Sequence, residues 1–217
     1  MRDPVLIFDL DDTLIESFPE YVRLHQRLAR ELDWRIPSTA ELVHYGPTWE
    51  ATLQRLWPGA RLDEFMARYE AMADDHRYPA ITGVPAALDR LRATGYSLWI
   101  VTKRSRRRLA QRMDQAGIRP ELFEGIFAYE DQPAAKPDPR CFEPVWRQLG
   151  EVASARAVYV GDREDDHVAA RSAGLEFVGV RTGPEHVAGA SSFLDALPDA
   201  QVLDTAAHLP DWLEARR

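Results

Sequence analysis

Short apolar runs alternate with stretches of helical period along most of the chain. Residues 4–9 (PVLIFD), 96–101 (YSLWIV), 157–160 (AVYV) and 175–180 (LEFVGV) are continuous apolar segments of strand length. Such runs predict strands buried on both faces, as in parallel sheets. Weaker runs lie at 123–129 and 201–203. Between them, Val84, Leu88 and Leu91 share one helical face after Gly83, with Pro85 suited to a first turn. Leu109, Ala110 and Met113 lead to Gly117, Phe142, Val145, Trp146 and Leu149 to Gly150, and Val168, Ala169 and Ser172 to Gly174, each glycine a helix stop. Strand–helix–strand alternation predicts a parallel α/β sheet with right-handed crossovers.

The interval from about 14 to 83 breaks this alternation and offers no convincing strand. Tyr21, Leu24, Leu28 and Leu32 fit one helix, Trp49, Leu53 and Leu56 a shorter one, and Leu62, Phe65, Met66, Tyr69, Met72 and Ala73 a third. The Met and aromatic stripes read as packing residues. The expected organisation is an α/β core from 1–16 and 80–217, with a helical insert at 17–79. A chain of 217 residues, at roughly 150 per domain, accommodates this.

Composition narrows the function. Apolar residues at 45% and charged residues at 29% exclude a disordered, collagenous or coiled-coil chain. The net charge, 27 − 35 = −8, argues against a nucleic-acid partner, which needs a broad basic surface. Cys141 is the single cysteine, and the first residues, MRDPVLIFDL, lack a secretory apolar region, so a cytoplasmic protein is expected. No apolar run approaches the ~20 residues of a membrane helix. Of 27 basic residues only Lys103 and Lys136 are lysines, so chemistry that demands a lysine has two candidates.

Four polar signals fall at or just beyond strand ends, where open α/β sheets place ligands. They are Asp9-Leu10-Asp11-Asp12-Thr13 after VLIF, Thr102 after YSLWIV, Lys136 in AAKPDP, and Gly161-Asp162-Arg163-Glu164-Asp165-Asp166 after AVYV. Singly each has a plain structural reading: an aspartate turn or cap, a cap for the helix near Ser105, a solvated loop lysine, an acidic first turn. Their order and their shared placement are far more specific. EF-hand, Walker A, GxGxxG, HExxH and GxSxG patterns are absent.

In these four segments the chain resembles the haloacid dehalogenase-like hydrolases over essentially its whole length. DLDDTL at 9–14, Thr102, Lys136 and GDREDD at 161–166 correspond to the four motifs, and the insert to the helical cap of one branch, within which phosphoglycolate phosphatase-like and β-phosphoglucomutase-like members are similar. The resemblance implies a Rossmann-like sheet and a Mg²⁺-dependent phosphatase acting on a small phosphorylated substrate, as a monomer or homodimer. It assigns Asp9 as the nucleophile that becomes an aspartyl-phosphate, and Asp11 as the acid and base for leaving group and water. The metal would be held by Asp9, the main-chain carbonyl of Asp11 and Asp162. Asp166, favoured over Asp165 by spacing, would steady a water or Lys136. Lys136 would neutralise Asp9 and the phosphoryl oxygens, and Thr102 would donate to one of them. Like charges at ~4 Å cost about 4 kcal/mol at an effective dielectric constant of about 20, and a hard dication offsets this.

Relatives often carry Asn or Ser after the motif-two threonine. Here Lys103 stands there, next to the phosphate site and able to bind a substrate anion, followed by RSRRR, which reads as a solvated helix face. Asp11 and Asp162 disfavour a true dehalogenase. The insert has no lysine for a Schiff base, which disfavours phosphonate hydrolysis. Its His25, His44 and His76 lack a lysine partner, which disfavours a mutase of the β-phosphoglucomutase type. A receiver domain would be half as long and place its lysine last. A non-catalytic, phosphate-sensing relative stays open as an alternative, although no catalytic position is missing. Substrate selection is expected from insert residues facing the core, with His44, Tyr45, Trp49, Arg23 and Arg55 as candidates.

Overall fold

The computed structural model describes residues 5–44, 49–149 and 157–216. Four parallel strands form the centre of the sheet: β1 (Val5–Phe8), β2 (Ser97–Val101), β4 (Ala157–Gly161) and β5 (Glu176–Val180). Short β3 (Gly125–Phe127) and β6 (Val202–Leu203) close its edges, in the order β3-β2-β1-β4-β5-β6. Every pairing is parallel. The order turns at β1, and β1 and β4 end together with Phe8 beside Val160. That is the switch point at which such sheets open a crevice.

The period of two along each strand divides the core. Leu6, Phe8, Leu98, Ile100, Val158 and Val160 face α5 (Val84–Ala93), α6 (Arg106–Ala116) and α10 (Leu209–Glu214). Val5, Ile7, Trp99, Val101, Tyr159 and Phe177 face α7 (Glu143–Leu149) and α8 (Glu164–Ser172). Both faces are covered, so the strands show no polar alternation. Each large side chain buried here contributes about 1.5–3 kcal/mol. The glycine stop at Gly117 is observed as a left-handed cap, while Gly150 lies outside the described residues.

Residues 17–75 contribute α1 (Ser17–Glu31), α2 (Thr39–Val43), α3 (Trp49–Leu56) and α4 (Leu62–Asp75). Their apolar faces pack into a cluster of their own, built on Phe18, Leu24, Leu28, Leu53, Trp57 and Phe65. The chain enters and leaves this segment side by side. Ile15 bridges Ala80 antiparallel, Glu16 N donates to Pro79 O at 2.9 Å, and Ile81 N donates to Leu14 O at 3.0 Å. Sequence periodicity anticipates α1, α3 and α4. It misses five-residue α2, which a Ser38–Glu41 capping box secures. Among the described residues no helix is long and apolar enough to cross a membrane.

Candidate active site

Asp9 follows β1 directly, and its N–H continues the ladder to Val160 O at 2.9 Å. Its carboxylate is thereby fixed at the carboxyl edge of the sheet, 5% exposed. Thr102 follows β2 in the same way, bonded through its N–H to Phe127 O at 3.1 Å. Asp162 follows β4, and Asp166 lies one turn into α8. All four are buried, as is Lys136.

Lys136 is the hub. Its Nζ donates to Asp9 Oδ1 at 2.8 Å, Asp166 Oδ1 at 2.5 Å and the Tyr159 hydroxyl at 2.7 Å. The Tyr159 hydroxyl donates to Asp166 Oδ1 at 3.1 Å, and Arg163 N donates to Asp166 Oδ2 at 3.1 Å. Burial disfavours the ammonium, but Asp166 and Asp9 outweigh it and hold the Lys136 pKa above its ordinary value. It is therefore Asp166, and not Asp165, that reaches Lys136. Asp165 pairs instead with Lys103. Lys103 is exposed and is not brought to Asp9.

Carboxylate oxygens of Asp9, Asp162 and Asp166 all lie within 4.8 Å of one another. One lysine against three buried carboxylates leaves a deficit of positive charge. Its consequences appear in the ionisation. Burial pushes Asp9 up to about 7, with Asp166 and Asp11 adding to the effect and Lys136 opposing it. Burial, then Asp12, Asp166 and Asp9, push Asp162 well above the carboxylate range. Asp162 Oδ1 accepts from Thr13 Oγ1 at 3.2 Å, whereas buried Oδ2 has no hydrogen-bond partner. An orphaned buried oxygen among hard oxygen donors fits a small divalent cation.

The remaining residues of the first motif divide their tasks. Asp12 adopts φ 55° and caps α1, its Oδ1 accepting from Ser17 N at 2.9 Å and Phe18 N at 2.6 Å. Asp11 is engaged on both oxygens. Arg104 Nε donates to Oδ2 at 2.8 Å, Arg104 Nη2 donates to Oδ1 at 2.5 Å, and Ser17 Oγ donates to Oδ1. Burial would raise its pKa, but the Arg104 guanidinium and Ser17 hold it below the ordinary value.

The arginine run corrects an expectation. RSRRR does not form a uniformly solvated face. Arg104 holds Asp11, and Arg108 and Arg107 pair with Asp74 at the end of α4. Four residues past Arg108, Arg112 is 2% exposed, with its guanidinium 3.2 Å above the Tyr78 ring. The stripe has an anionic and aromatic counterface on the helical segment, remote in sequence. Of the proposed selectors, Arg23 pairs with Glu20, exposed His44 accepts from Arg55 through its carbonyl, Tyr45 lies outside the described residues, and so does the Trp49 side chain. Sequence reasoning missed Tyr159 and Arg104. Tyr159 was hidden within an apolar strand, although a lone hydroxyl in such a run is itself a signal.

The profile of the haloacid dehalogenase-like hydrolases matches residues 6–180. The chain belongs to the haloacid dehalogenase-like hydrolases. A phosphoglycolate phosphatase of Cereibacter sphaeroides is 32% identical over 90% of this chain and 96% of its own length. One of Pseudomonas putida is 30% identical over 84% of this chain and 71% of its own. The crystal structure of a predicted phosphoglycolate phosphatase from Haemophilus somnus 129pt superposes with a TM-score of 0.78 at 22% identity, covering 100% of this chain and 99% of that one. The fold is thus the Rossmann-like α/β fold of this family, and the protein is a phosphoric monoester hydrolase.

Proposed function

We propose that this hydrolase cleaves a small phosphorylated acid of the phosphoglycolate type, with Mg²⁺ and through an aspartyl-phosphate on Asp9. The observation that carries the reading is the convergence of Asp9, Thr102, Lys136 and Asp162 at one strand-end crevice, with Lys136 bonded to Asp9. Asp9 Oδ2 is the nucleophile. Lys136 opposes protonation of Asp9 and neutralises phosphoryl oxygens, and the Thr102 hydroxyl donates to one of them. Asp11 gives a proton to the leaving oxygen, then takes one from water. Asp9, Asp162 and the Asp11 carbonyl would hold the ion, with Asp166 behind them. When bound, Mg²⁺ supplies charge neutralisation at the phosphoryl group.

Residues 17–79 are assigned as a cap over the core of 1–16 and 80–217, moving on the bridged segments 14–17 and 80–83. A cap of this kind excludes water from the acyl phosphate and admits metabolites rather than macromolecules. A single buried cysteine fits a reducing, cytoplasmic setting.

The test is release of inorganic phosphate from 2-phosphoglycolate with and without chelator. Activity is expected to vanish in excess EDTA and return with Mg²⁺. Asp9→Asn should abolish turnover, and Asp11→Asn should still capture the phosphoryl group but release it poorly. Rapid-quench mass spectrometry that finds phosphate on a residue other than Asp9 overturns the assignment. Phosphate moved to a second hydroxyl compound instead of water would reveal a transferase.

A further inference from the structure

Asp11 cannot reach a leaving group while both of its oxygens are committed. Arg104 grips it through two nitrogens, and Ser17 Oγ donates to the same carboxylate. Any catalytic use of Asp11 therefore requires the Arg104 fork to let go. What Arg104 does next is constrained. Its side chain is only 28% exposed, and Tyr69 of α4 and Tyr78 just beyond it lie within electrostatic reach. Asp74, the next anion along the stripe, is held by Arg108 and Arg107. Arg112 is buried, with its Nε unpartnered. A guanidinium left without a carboxylate here would be a half-buried, unpaired charge beside other cations, and such a state is costly.

The fork is shaped for a planar carboxylate, since that is what it holds. It also stands next to the phosphoryl pocket. Arg104 N donates to Thr102 Oγ1 at 3.2 Å, and Asp11 lies two residues from Asp9. A carboxylate that replaced Asp11 on Arg104 would sit a very short chain away from a phosphorus poised at Asp9.

We propose that Arg104 is the specificity residue, exchanging the Asp11 carboxylate for the carboxylate of the substrate itself. One swap then does two things. It anchors a phosphomonoester bearing a carboxylate one or two carbons from the ester oxygen, and it releases Asp11 for proton transfer. Neutral phosphomonoesters leave Asp11 latched. The inference rests on the reading of Asp11 as acid and base.

The experiment compares kcat/KM for 2-phosphoglycolate with that for 2-hydroxyethyl phosphate, a near-isostere with a neutral end, both with saturating Mg²⁺. The wild type should favour the acid roughly 10- to 100-fold, the size of a charge-assisted pair. Arg104→Gln should remove most of that preference, through a higher KM for the acid and, with Asp11 no longer latched, a higher kcat for the neutral ester. Arg104→Lys should restore part of it, because a point charge replaces the fork. A wild-type ratio near one overturns the proposal with no variant needed. So does an Arg104→Gln ratio equal to that of the wild type, and in both cases hydrolysis of the neutral ester leaves the phosphatase reading standing. Wild-type protein that hydrolyses neither ester sinks both readings together.

Discussion

Replacing Lys136 by methionine removes the cation that, among the described residues, is bonded to both Asp9 and Asp166, while keeping most of the side-chain volume. Lys136 is 2% exposed and Asp166 0%, so solvent cannot substitute for the lost ammonium. Breaking a buried pair by deleting one partner costs about 3–5 kcal/mol. At about 2–4 °C per kcal/mol for a chain of this size, the midpoint should fall by about 6–20 °C. The loss should also depend on pH. Asp9 is already raised to about 7 with Lys136 present, and without it the folded pKa rises further. Above the ordinary carboxylate value, the folded state then binds more protons than the unfolded state, and stability falls as pH rises. Lys136→Met should therefore be more severe at pH 8 than at pH 5. Urea unfolding in EDTA at both values measures it, alone and in an Asp166→Asn background. A loss that is the same at both pH values, and undiminished by Asp166→Asn, would refute the ion-pair account and leave a packing defect.

Three further outcomes follow from local geometry. A Cβ on Gly161 would lie 2.6 Å from Asp166 Oδ2 and 2.7 Å from its Cγ, so Gly161→Ala should push Asp166 off Lys136. Turnover should drop and stability fall by about 1–3 kcal/mol in a denaturant titration. A Cβ on Gly183 would lie 2.7 Å from Asp162 Oδ2, so Gly183→Ala should weaken Mg²⁺ binding in calorimetry; an unchanged affinity would remove Asp162 from the metal site. His25, packed among Tyr21, Trp57, Phe65 and Tyr69, is lowered to about 4 by burial. Its neutral form contributes stability present above pH 6.5 and lost as pH falls towards 4, up to about 3 kcal/mol. His25→Leu should flatten that acid limb.

The sheet was legible because each central strand is buried on both faces and so writes itself as an unbroken apolar run. The edges were fainter: β3 and β6 have three and two residues, too few for any period. Asp9, Thr102 and Asp162 stood out because a strand end marks them. Lys136 was noticed because lysines are so scarce here. Pairing across the fold left no such trace. Nothing near Arg104 in sequence announces Asp11, nor does anything near Arg108 announce Asp74, so the stripe looked like a water-facing helix. Tyr159 was absorbed into its strand because an aromatic ring satisfies the apolar pattern whatever its hydroxyl touches.

The paired crossing at Ile15 and Ala80 has a consequence for how such a chain can change over time. Because the two ends of the 17–79 segment meet in a hydrogen-bonded ladder, the sheet registers only a closed loop. The entropy of closing a flexible loop grows by about 0.6 kcal/mol for each doubling of its length. The sheet therefore accepts a longer or shorter module at that point at little entropic cost, provided its first turn keeps Ser17 and Phe18 on the carboxylates of Asp11 and Asp12. Selection can rework what surrounds the substrate while the strand ends that carry Asp9 and Asp162 stay in register.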